Sequence, residues 1–243
     1  MKKIIVAMFF LVVASATAQD IIEIDLEKFD KLKVYNGLNV NLIKSDQQKI
    51  EISGERANEI LVKNKKGTLK ISLDLLNSFN HQKVVINLFY NSNIAEMEAK
   101  QGAVIRSTDI FKQTQLTISA QEGAYIKLDM EVDYLTAKGI TGGHFQLKGI
   151  TETQNVSVVS GSSYEAFYLE SNLATMYVST GSTAQIQVSK ALDAKAKLGG
   201  TIEFAGRPES VSTAESMGGQ INKAIVDKEI DVAEKQQLKS EEA

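Results

Sequence analysis

From about Ala95 to Ile221, apolar and polar positions alternate in short runs punctuated by a glycine and then a very small residue. The pairs are Gly102-Ala103, Gly123-Ala124, Gly142-Gly143, Gly161-Ser162, Gly181-Ser182, Gly199-Gly200 and Gly218-Gly219. Their first glycines stand 21, 19, 19, 20, 18 and 19 residues apart, the mark of a repeat architecture. Three residues after the glycine come Ile105, Ile126, Phe145, Tyr164, Ala184, Ile202 and Ile221, and five before it Met97, Ile118, Ala137, Val156, Met176, Ala194 and Thr213. Five after it come Ser107, Leu128, Leu147, Ala166, Ile186, Phe204 and Lys223. Polar residues fill the positions between, so each pass predicts strands with one buried face. Polar Ser107, Thr213 and Lys223 fall in the first and last passes, as expected where the ends of a stack meet solvent or a cap.

Each pass therefore predicts two short strands joined at a Gly-small corner, where glycine reaches positive φ and the small neighbour lets coils approach. A pass of about 20 residues cannot bury its own apolar row, but stacked passes share one core. Antiparallel hairpins closing into a barrel or sandwich would also alternate, yet nothing in them requires one corner chemistry at a fixed period. The expected fold is all-β: a right-handed parallel β-helix with coils of about 20 residues. Seven coils at ~4.8 Å each would span about 34 Å.

The flanks read differently. Residues 1–18 have a basic start, an apolar run from Ile4 to Ala14 and the small-x-small signal Ala16-Thr17-Ala18, which predicts a secretory signal peptide. Residues 19–93 alternate without the glycine phase, through Leu32, Val34, Val40, Leu42, Ile50 and Ile52 and again through Leu69, Ile71, Leu73, Val84, Ile86 and Leu88. They predict irregular first coils or a capping sheet. Asn36-Gly37 fits either a β-hairpin turn or a coil corner. Residues 94–223 are the regular solenoid. Residues 224–243 turn charged, with Val226, Ile230 and Ala233 on one helical face, and predict a short helix or tail covering the end of the core.

Composition removes several chemistries. The chain of 243 residues has no cysteine, which excludes disulfides, thiol catalysis and cysteine metal sites. A net charge of −3 gives no nucleic-acid footprint. Beyond the first residues no run is apolar enough to cross a bilayer as a helix.

Phe29-Asp30-Lys31-Leu32-Lys33-Val34, Gly67-Thr68-Leu69-Lys70-Ile71, the Gly-small corners, Gly206-Arg207-Pro208 and Gly218-Gly219-Gln220-Ile221 together resemble the head GIN domain family. Its members are named as auto-transporter adhesins of Gram-negative bacteria. The resemblance runs from about Phe29 to Lys223 and implies a right-handed β-helix-like fold and a cell-envelope location. It brings no catalytic residues with it.

Candidate chemistry is sparse. His144 falls in an outward column with Tyr125, Ser163 and Thr183, and His81 in a polar loop, Asn77–Gln82. Glu165 and Glu203 point outward, within a polar ladder of Arg106, Lys127, Gln146, Glu165, Gln185 and Glu203. Asp129, Glu131 and Asp133 form one acidic cluster, read as solvated charge in preference to a Ca²⁺ site. Ser163 lacks the strand–elbow–helix setting of a hydrolase nucleophile. No catalytic, cofactor or metal residue is assigned. The expected function is a non-catalytic exported envelope protein, an adhesin-like module binding a surface glycan or protein. The alternatives are a polysaccharide-active β-helix enzyme and a scaffold of an envelope assembly.

Overall fold

A computed structural model describes residues 21–74 and 84–225. The predicted signal peptide, the loop holding His81 and residues 226–243 of the predicted C-terminal helix or tail lie outside the described residues. Five long strands carry the regular part: β9 (Val104–Gln121), β10 (Tyr125–Ile140), β11 (His144–Val159), β12 (Ser163–Ser179) and β13 (Thr183–Lys197). Each pairs in parallel with the next along most of its length. Consecutive parallel strands with no crossover element between them must each go once round the stack, so the fold is a β-solenoid. One strand per coil replaces the two predicted. The bends fall inside strands, at gaps in the ladder such as Asp133, Glu152 and Asn172.

The corners divide two tasks between two residues. Between β9 and β10, the Ala124 N–H donates to the Gln121 carbonyl at 3.2 Å, and Glu122 and Gly123 take φ of 56° and 73°. Two left-handed residues inside an i→i+3 bond match a type I′ turn. Gln101, Thr141, Ser160, Thr180, Leu198 and Met217 precede their glycines in the same left-handed region. Their strain is offset by the neighbouring coil, where the N–H of each corner glycine from Gly102 to Gly199, and of Gly37 before them, donates to the carbonyl of the left-handed residue at the next corner. Gly102 bonds Glu122 at 2.9 Å, Gly123 bonds Thr141 at 3.1 Å and Gly142 bonds Ser160 at 3.0 Å. A Cβ on Gly123 or Gly181 would meet nothing within 4 Å, so those glycines are required by φ and not by crowding. Crowding falls on the next residue: a Cβ on Gly143 would lie 2.0 Å from the Ala120 carbonyl oxygen.

The predicted apolar rows form the core. Ile105, Ile126, Phe145, Tyr164, Ala184 and Ile202 are buried, as are Met97, Ile118, Ala137, Val156, Met176 and Ala194. One polar chain runs through this core. The Tyr164 hydroxyl donates to Gln154 Oε1 at 2.9 Å, Gln154 Nε2 to Ser171 Oγ at 2.7 Å, and Ser171 Oγ to the Gln187 carbonyl at 2.7 Å. Burial pushes the Tyr164 pKa far up and keeps its proton on that bond.

Towards the N-terminus, spatial order departs from chain order. β2 (Lys31–Val34) and β3 (Asn39–Lys44) make one coil, with Asn36-Gly37 as its corner and not a hairpin turn. That coil lies between β6 (Thr68–Leu73) with β7 (Val85–Tyr90) on one side and β8 (Glu96–Lys100) with β9 on the other. Outside β6 and β7 the direction reverses. β5 (Ile60–Lys65) runs antiparallel to β6, β4 (Lys49–Ser53) to β7, and β1 (Ile21–Asp25) to β4. Because β3 stacks on β9, Ser107 is not at an end of the stack. It belongs to a β-bulge, where its hydroxyl donates to the Asp109 carbonyl at 2.9 Å.

At the other end stand β14 (Thr201–Ala205), β15 (Ser210–Ser216) and β16 (Gln220–Lys223). Val211, Thr213 and Glu215 register with core residues Leu192, Ala194 and Ala196, yet every residue of β15 is exposed.

Candidate binding surface

The outward side chains following each corner stack as the sequence predicts: Arg106, Lys127, Gln146, Glu165, Gln185 and Glu203 are successive partners. Beside them run Tyr125, His144, Ser163 and Thr183. Tyr125 and His144 stack at 4.9 Å between centroids, with planes 22° apart. The Tyr125 hydroxyl donates to Gln146 Oε1 at 2.8 Å, and burial, then the charge of Glu165, raises its pKa. His144 Nε2 lies 3.4 Å from Glu165 Oε1. Beyond His144 the column shrinks to hydroxyls, leaving a hollow of about 220 Å³ over Ser163, Thr183 and Thr201, edged by Glu165 and Glu203. Gln185 Nε2 donates to Glu203 Oε2 at 3.0 Å along that edge.

The coil of β12 interrupts this regularity. Gln146 pairs with Glu165 but Lys148 with Tyr168, so β12 carries one extra residue there. Against β13 the slip is larger, from Ala166↔Ile186 to Glu170↔Gln187. Such bulges bend a strand and re-aim its side chains. Here the bulge puts Tyr168 on the surface, 39% exposed, beside half-buried Phe167. Both line a hollow of about 180 Å³ with Gln146, Lys148, Glu165 and Gln185, and Lys148 Nζ sits 5.4 Å from the Tyr168 centroid.

A third hollow, of about 500 Å³, follows the next bend and carries Glu131, Asp133, Glu152 and Glu170 with Asn172 and Ser189. Two of its carboxylates are paired. Lys112 pairs with Glu131 at 2.8 Å and Lys190 with Glu152 at 3.8 Å. The Asn172 amide donates to Glu152 and accepts from Ser189 Oγ at 2.8 Å. Asp129, Glu131 and Asp133 occupy alternate, outward positions of one strand. No three carboxylates or histidines converge for a metal among the described residues.

Residues 28–208 match the family model described as "Putative auto-transporter adhesin, head GIN domain". The chain belongs to this family. The head GIN protein is also similar to a putative adhesin from Bacteroides fragilis NCTC 9343, at 18% identity and a TM-score of 0.76, over 86% of this chain and 98% of that one. A protein named as a putative lipid binding protein, from Parabacteroides distasonis ATCC 8503, is 16% identical with a TM-score of 0.66, over 86% of this chain and 98% of that one. At these identities the likeness establishes the fold. No curated protein matches the chain.

Sequence reasoning passed over Phe167 and Tyr168 in the head GIN protein. A signal existed: the pass from Gly161 to Gly181 has 20 residues where the two before it have 19, and the extra residue is the bulge.

Proposed function

We propose that this head GIN protein is an exported, non-catalytic module of a Gram-negative cell envelope that recognises a surface glycan or protein, as an adhesin would. The observation that carries the reading is the surface itself. A rigid stack presents shallow hollows lined by amides, hydroxyls, carboxylates and a few aromatic rings, and uniform coils supply no long loops to wall a cleft. The basic, apolar and small-x-small start of the chain supports export. Adhesin naming within the family and among the structural relatives supports surface binding.

A second reading, a polysaccharide-active enzyme, draws on the carboxylates of the third hollow. Purified protein on a glycan array, with envelope proteins as a second set of probes, should retain a ligand. The same glycans in solution should release no reducing or unsaturated sugar ends. Release abolished by Glu152→Gln without unfolding would replace the binding reading with the enzymatic one.

A further inference from the structure

We infer that the β12 bulge is a subsite for a neutral pyranose ring, with Tyr168 and Phe167 as the platform and Gln146, Gln185 and Glu165 as the hydrogen-bonding rim. This rests on the binding reading above and names its place and ligand chemistry. A sugar ring presents an apolar C–H face and a girdle of hydroxyls. It needs an aromatic surface for the first and paired donors and acceptors for the second. The hollow at the bulge supplies both within about 180 Å³, a volume suited to one ring and not to a folded domain.

The bulge is what makes the site. In the neighbouring coils the ladder is continuous at this level on the β10–β11 side, and aromatic side chains at core positions there, such as Phe145, are buried. The extra residue of β12 breaks the alternation between Ala166 and Leu169, both buried, and turns two consecutive rings towards the surface. Two amide side chains from the coils on either side of β12, Gln146 and Gln185, reach the same hollow, and beside the bonds to Tyr125 and Glu203 each keeps a donor and an acceptor position for a diol. Lys148 and Glu165 bring opposite charges to one small space. That balance favours an uncharged hexose or N-acetylhexosamine over a uronic acid or a phosphate. The acidic hollow round the next bend would then face the rest of an oligosaccharide.

The test uses the exported chain on an array of neutral hexose and N-acetylhexosamine oligosaccharides, with sialylated and uronic acid oligosaccharides alongside. Tyr168→Ala should weaken binding to the neutral set at least tenfold with the melting temperature unchanged, and Gln185→Ala severalfold. Tyr168→Phe should retain binding. Tyr134→Ala and Tyr177→Ala, which remove exposed rings elsewhere on β10 and β12, should have no effect. Unchanged affinity in Tyr168→Ala, or binding confined to the acidic glycans, overturns the subsite. If neutral binding is lost instead in Asn172→Ala, the subsite falls while the binding reading stands. Wild-type protein that retains neither glycan nor envelope protein removes both.

Discussion

The two ends of the stack solve one problem in different ways. A solenoid exposes apolar core and unpaired strand edges wherever coiling stops. At the N-terminal end, chain order is broken to bury the first coil. β2–β3 lies inside β6–β7, and β1, β4 and β5 reverse direction so that no further parallel coil can add. At the C-terminal end coiling continues in order and the core row changes chemistry, from Leu192, Ala194 and Ala196 to Val211, Thr213 and Glu215. The first solution covers the core, and the second dilutes it. Stability should therefore concentrate at the end that is covered.

The largest expected difference follows directly. Leu32 is fully buried between Leu69 and Met97, so Leu32→Ala should cost about 3 kcal/mol. Val211, at an apolar position of the last coil, is 48% exposed, and Val211→Ala should cost under about 1 kcal/mol. Urea unfolding of both variants checks the contrast; equal losses would mean that the two ends are equally covered.

A glycine pair sharpens it. A Cβ on Gly143 would meet the Ala120 carbonyl oxygen at 2.0 Å, and one on Gly219 the Ala196 carbonyl oxygen at 2.2 Å. Gly143 lies mid-stack, where coils on both sides resist displacement, and Gly143→Ala should cost about 2–3 kcal/mol. Gly219 sits in the last coil, which can ride outward, so Gly219→Ala should cost about 1 kcal/mol. Gly123→Ala, strained through φ alone, should also cost about 1 kcal/mol. If Gly143→Ala and Gly219→Ala melt alike, the last coil is as tightly held as the middle ones.

These positions also show where sequence is informative. The Gly-small corners and the row from Ile105 to Ile202 could be read because positive φ and close approach admit so few residue types. The left-handed residue before each glycine could not, because Gln101, Glu122, Thr141 and Leu198 share no chemistry; hydrogen bonds donated by the corner glycine of the preceding coil hold them there. The placement of β2–β3 inside β6–β7 was equally hidden, since alternating strands carry no record of which neighbour they meet. The bulge at Phe167 and Tyr168 left a trace only in the spacing of glycines. A candidate surface built on a departure from the repeat is harder to see than the repeat.

Dilution of the last core row is itself testable. Thr213→Val with Glu215→Val would restore an apolar row on the exposed β15. The double variant should keep its fold but form concentration-dependent oligomers by light scattering, where the wild type stays at one mass. Glu215 also accepts the Ile221 N–H at 2.6 Å, so Thr213→Val alone separates lost turn support from gained apolar surface. Monomeric behaviour of both variants would mean that something other than Thr213 and Glu215 blocks the end.

The smallest effect is electrostatic and belongs to the covered end. Glu98 of β8 is 7% exposed, with Lys33 Nζ of β2 at 2.9 Å and Lys100 Nζ at 2.5 Å. Burial pushes the Glu98 pKa up, but hydrogen bonds and charge from Lys100 and Lys33 outweigh it and leave the carboxyl below its ordinary value. A depressed carboxyl stabilises the fold fully above the unfolded value of about 4.3 and loses that contribution as pH falls through the folded value. Lys33 and Lys100 are raised, chiefly by their hydrogen bonds to Glu98. Their share is therefore complete below the unfolded lysine value and lost only in strong alkali. Between these limits stability should not depend on this cluster's titration. Glu98→Gln should lower the melting temperature modestly at pH 7, and the gap to wild type should close as pH falls below about 4. A gap that stays constant down to pH 3 would show that Glu98 contributes packing and not charge, and that the junction between β2 and β8 is held by its apolar rows alone.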